Sequence, residues 1–82
     1  MPYIQQHRKE HLEKADDPKP KGPGELNFVF TWFALDYIER YGESYQIIND
    51  VIGALESAKL EFYRRLVVPY EDKKIEENGD VY

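Results

Sequence analysis

Between residues 26 and 66, apolar side chains recur every three or four positions, and the pattern breaks once, at Tyr41-Gly42-Glu43-Ser44. That spacing is the signature of helices with an apolar stripe. Leu26, Val29, Phe30, Phe33, Tyr37 and Ile38 form one stripe, and Ile48, Val51, Ile52, Leu55, Ala58, Phe62 and Leu66 form the next. At the break, Gly42 is suited to a C-terminal cap with positive φ, and Ser44 can accept a bond from the first-turn amides of a following helix. So short a connection makes neighbouring helices antiparallel. The pattern therefore predicts an all-α protein built on an antiparallel helical hairpin, Glu25–Tyr41 and Ser44–Val68.

The flanks are different in character. Residues 4–15 read as a short polar helix supported only by Ile4 and Leu12. Residues 16–24 hold three prolines and two glycines, which deny the backbone donors and restrict the residues before them. This organisation gives an N-terminal helix or arm over 1–15, a linker over 16–24 and a helical domain over 25–82. Pro69 is expected to end the second long helix at Val68, with one or two further turns over 70–77. Asn78-Gly79-Asp80 is a turn signal.

With 82 residues and no cysteine, the chain has a marginal core and no disulfide to reinforce it. Self-association is one remedy. The aromatic content, seven Tyr, four Phe and one Trp, exceeds what one small core can hold, and aromatic side chains supply much of the area of interfaces. Phe28, Trp32 and Leu35 lie off the first stripe, so this helix is apolar on nearly two sides and is expected to be buried on both. These three residues are the candidate oligomer interface, and a homodimer packed as a helical bundle is the expected assembly. Gly53, flanked by Ala54, Ser57 and Ala58, is expected to mark a close approach of helix backbones.

Charge and motif excludes several functions. The net charge is −5, and no segment is strongly basic, which argues against a phosphate-tracking nucleic-acid surface. No apolar run reaches the roughly 18 residues of a membrane span, and the polar N-terminus lacks a signal-peptide pattern. Cysteine-free composition fits the reducing cytoplasm. His7-Arg8-Lys9-Glu10-His11 matches H-x-x-E-H, which on a helix places two imidazoles one turn apart. A third ligand and a substrate cleft are missing from the pattern, so His7 and His11 are read as solvated, with incidental metal binding as the other reading. Ser44, Ser57 and Thr31 are the remaining nucleophiles. Ser44 is explained as a cap and Ser57 by packing, and no phosphate loop is present. No cofactor and no enzymatic activity are expected.

The best side-chain constellation is Glu56, Lys59, Tyr63 and Arg64, extended by Arg65 and Tyr70. A tyrosine face beside two arginines can hold a phosphate, a base or an acidic partner segment. The plainer reading is a salt-bridged helix end, with Arg64 and Arg65 complementing the helix dipole. Two functions remain open: a homo-oligomeric interaction module binding another protein, and a small-molecule or nucleotide module with its site at a subunit interface near Lys59, Tyr63 and Arg64.

A resemblance adds context. Gly24-Glu25-Leu26-Asn27-Phe28, Val51-Ile52-Gly53, Leu55-Glu56-Ser57-Ala58-Lys59 through Tyr63-Arg64-Arg65, and Pro69-Tyr70-Glu71-Asp72-Lys73-Lys74 through Val81-Tyr82 together resemble a family of short phage and prophage proteins of unknown function. The opening Met1-Pro2-Tyr3-Ile4 fits as well. The linker departs from the resemblance at Pro18, Pro20 and Pro23. The resemblance implies a phage-associated protein in the host cytoplasm, with a host or phage protein as partner, and it brings no catalytic residue. It also implies that 69–82 is ordered and packs back on the helices through Tyr70, Ile75 and Tyr82.

Overall fold

A computed structural model describes all residues from Met1 to Tyr82, and the chain is helical without a strand. The elements are α1 (Gln6–Lys14), α2 (Pro23–Tyr41), α3 (Tyr45–Phe62), a π-helical segment (Tyr63–Val67) and α4 (Val68–Asn78). No helix is long and apolar enough to cross a membrane. The chain divides into two compact units, residues 1–48 and 49–82. The expected hairpin pairing lies across that boundary, since α2 falls in the first unit and most of α3 in the second.

In the first unit, α2 packs on α1. Leu12 is the one buried hydrophobic side chain in the molecule. The helix starts as its sequence dictates, with Gly22 extended before Pro23 in the first turn, where a proline loses no hydrogen bond that a helix could have made. The start of α2 thus falls within the stretch read as linker. Gly24 is needed for close approach: a Cβ there would lie 3.2 Å from the Met1 carbonyl oxygen and 3.5 Å from Ile4 Cγ2. The N-terminal residues therefore lie against the first turn of α2.

A two-point ion pair ties α1 to α2. Arg8 donates from Nε to Glu25 Oε2 at 3.0 Å and from Nη2 to Oε1 at 2.7 Å. Both side chains are largely covered, and the Lys21 amide also donates to Oε1 at 3.1 Å. These bonds favour the carboxylate, chiefly the one from Arg8, and bring the Glu25 pKa from 4.5 to about 2.

The break between α2 and α3 follows the expected chemistry. The Gly42 amide donates to the Ile38 carbonyl at 2.8 Å, and Ser44 Oγ accepts from the Ile47 amide at 3.1 Å. Gly42 has φ 91° and ψ 138°, a positive-φ conformation outside the left-handed helical basin and open in practice to glycine alone.

Three expectations fail in the second unit. Pro69 does not end the helix: Phe62, Val67 and Val68 all keep right-handed helical dihedrals, and α4 runs on to Asn78. Within its unit the carboxy-terminal segment continues the helix instead of folding back on it, and Tyr70, Ile75 and Tyr82 are exposed. Nor is Gly53 a point of close approach, for beyond its chain neighbours and the backbone of its own helical turns no atom lies within 4 Å of the place its Cβ would occupy.

Gly53→Ala is expected to raise helicity and stabilise by about 0.5–1 kcal/mol, whereas Gly42→Ala is expected to destabilise by about 1–3 kcal/mol; urea denaturation followed by circular dichroism measures both. For Glu25, the folded pKa is lowered, so its contribution to stability is complete above about pH 4.5 and lost as the pH falls towards 2. Arg8→Gln should flatten that acid limb, read by the fluorescence of Trp32 in the same unit. An unchanged pH profile in the variant contradicts the linkage.

Candidate functional site

Every residue of the constellation Glu56, Lys59, Tyr63, Arg64, Arg65 and Tyr70 falls on the continuous helix of the second unit, on and around its π-helical segment. The cause of that segment is Pro69. A proline inside an α-helix has no amide to donate, and its ring collides with the carbonyl four residues back, here Arg65. A wider turn relieves the collision. The Val68 amide accordingly donates to the Tyr63 carbonyl, five residues back rather than four.

The extra residue in that turn resets which side chains share a face. In an α-helix, residues i and i+8 lie about 80° apart around the axis. Across the π turn they come together, and the Tyr63 hydroxyl donates to Glu71 Oε1 at 2.8 Å. That bond, with the nearby negative charge, raises the pKa of the Tyr63 phenol.

The cations of the constellation are already paired. Lys59 Nζ lies 3.1 Å from Glu56 Oε1. Arg64 donates to Glu61 Oε1 at 2.7 Å, and Arg65 Nε donates to the same oxygen. Tyr70 meets a different cation, with Lys74 Nζ 5.6 Å from the centre of its ring. An anion at this site would have to draw Arg64 and Arg65 away from Glu61. The geometry is that of a salt-bridged helix.

Glu61 and Glu71 are the partners that sequence reasoning passed over. Glu61 was legible, standing three and four residues before Arg64 and Arg65, the spacing at which helix side chains meet. Glu71 was not, because its pairing with Tyr63 requires the π turn.

The proposed interface residues of α2 divide between two environments. Phe28 and Trp32 are half-buried and line a cleft of about 270 Å³ together with Leu12, Ala15, Val29 and Phe33. Leu35 is 59 % exposed, away from that cleft. Trp32 and Phe33 meet edge to face at 5.3 Å between ring centres. The cleft lies just below the range of about 300–1,000 Å³ that holds drug-sized ligands. His7 and His11 line a shallow groove on α1 with Glu10 and Lys14, and no group of three His, Cys, Asp or Glu is placed to hold a metal ion. Ser44 is occupied as a helix cap, and Thr31 Oγ1 donates to the Asn27 carbonyl of its own helix at 2.9 Å.

A protein-family model described as a domain of unknown function, DUF6899, matches residues 1–81. The chain belongs to this family. No curated protein and no solved structure matches it. The DUF6899 match spans both units, so α1 and the carboxy-terminal helix are part of the family's pattern as much as the two long helices are.

The bond between Tyr63 and Glu71 yields a measurable expectation. Because the phenol pKa is raised by Glu71, Glu71→Gln should bring the ionisation of one tyrosine to lower pH than in the wild type. Ultraviolet titration of the phenolate, with Tyr63→Phe as the reference, measures it. Superimposable titrations of wild type and Glu71→Gln contradict the pairing.

Proposed function

We propose that this DUF6899 protein is a non-enzymatic interaction module that works as a homo-oligomer, with the dimer as its basic form. One observation carries the reading: the helix of the second unit has an apolar stripe and no core to bury it in. No residue from 49 to 82 is buried, and Leu55, Phe62, Leu66 and Tyr70 are 46, 63, 58 and 62 % exposed. Helical hydrogen bonds and local ion pairs alone leave a helix marginal in water, and most helical stability in proteins comes from packing an apolar face. Such a face calls for a covering surface.

The pairing of Lys59, Arg64 and Arg65 with carboxylates of their own helix supports association over anion binding. The family-like pattern of 24–82 supports a phage- or prophage-associated role in the host cytoplasm, with a host or phage protein as the further partner.

Size-exclusion chromatography with light scattering tests the oligomer. At micromolar concentration the wild type should elute with at least twice the mass of the 9.8 kDa chain. The mass of a single chain throughout that range contradicts the reading.

A further inference from the structure

Phe62, Leu66 and Tyr70 are spaced by four. In an α-helix each step of four drifts by about 40° around the axis, so the three would fan out over about 80°. The π turn, with amides bonded five residues back, takes more residues per revolution and removes most of that drift. Leu55, seven residues before Phe62, is already within about 20° of it. The result is a straight stripe of Val51, Leu55, Ala58, Phe62, Leu66 and Tyr70.

We propose that this stripe is the self-association face, seated on a second copy of the same chain, and that the π turn keeps it straight across Pro69. The inference rests on the homo-oligomer reading above and places its interface here rather than at Phe28, Trp32 and Leu35. Two features fit a second copy. The first is area. With exposures of 46–63 %, and side chains of roughly 150–250 Å², the four largest stripe residues and flanking Ile52 offer on the order of 600 Å². A stable interface buries roughly 800 Å² per partner, and Val51, Ala58 and the aliphatic stems of Lys59 and Arg65 supply the remainder.

The second feature is charge. Residues 44–68 carry three basic and three acidic side chains. Glu56–Lys59 and Glu61 with Arg64 and Arg65 neutralise one another along the helix. Two copies can therefore approach along this stretch without net repulsion, although the chain as a whole carries −5. A strongly charged partner would find no matching field here.

The test uses the absence of cysteine from the chain. Ala58→Cys puts a thiol on the stripe, and Ser57→Cys puts one about 100° further round the helix. Both are small replacements at exposed helical positions, so folding is preserved, and their labelling by a thiol reagent is compared across a concentration series. At concentrations where the wild type is dimeric, the Ala58→Cys thiol should label at least tenfold more slowly than the Ser57→Cys thiol, and the difference should vanish on dilution. In parallel, Phe62→Glu should raise the dimer dissociation constant at least 100-fold, while Leu35→Glu should leave it within threefold.

Equal labelling of the two thiols in a wild-type-like dimer overturns the assignment of the face and leaves the oligomer reading standing. Loss of the dimer in Leu35→Glu with retention in Phe62→Glu returns the interface to α2. A wild-type chain that is monomeric throughout overturns the oligomer reading itself.

Discussion

An α-helix satisfies its own hydrogen bonds but does not bury its own side chains, and the second unit is bound by that limit. Its helix runs through eighteen, five and eleven residues in succession from Tyr45 to Asn78, without a buried residue along it. Hydrophobic burial is the dominant favourable term in folding, and here it is left uncollected. The ion pairs along the helix lie on exposed side chains, where water and salt screen them. An apolar stripe combined with neutralised flanks is the observation on which the proposed association rests.

The first unit solves the same problem within the chain. There α1 covers part of α2, Leu12 is buried between them, and the two-point pair of Arg8 with Glu25 fixes how they meet. Because Lys21 also donates to Glu25, this carboxylate joins α1, the proline-rich connection and the first turn of α2. The arrangement within this unit leaves Phe30, Phe33 and Leu35 exposed.

Much of this was legible in the residues. The 3.6-residue periodicity placed both long helices, and the chemistry of Gly42 and Ser44 placed the break between them, because these signals are local. Spacing also places Glu61 within reach of Arg64 and Arg65, although the sequence reading assigned those arginines to the helix dipole. Pro69 was misread for a physical reason: a proline excludes the α-helical bond at its position, but a π turn is a second way to accommodate it, and local sequence does not distinguish the two. The Tyr63–Glu71 bond was hidden by the same turn. Gly53 was misread because a small residue signals that a close approach is permitted, not that one is made. The role of Glu25 was missed because its partner Arg8 lies seventeen residues away across the linker.

The central claim is that the helix from Asn49 to Asn78 depends on association for its stability. Hydrogen exchange of its backbone amides, followed by mass spectrometry as a function of protein concentration, tests this most directly. The account predicts that protection in this segment rises with concentration through the dimerisation range, while protection of α2 changes much less. Protection of 49–78 that is high and independent of concentration would contradict it.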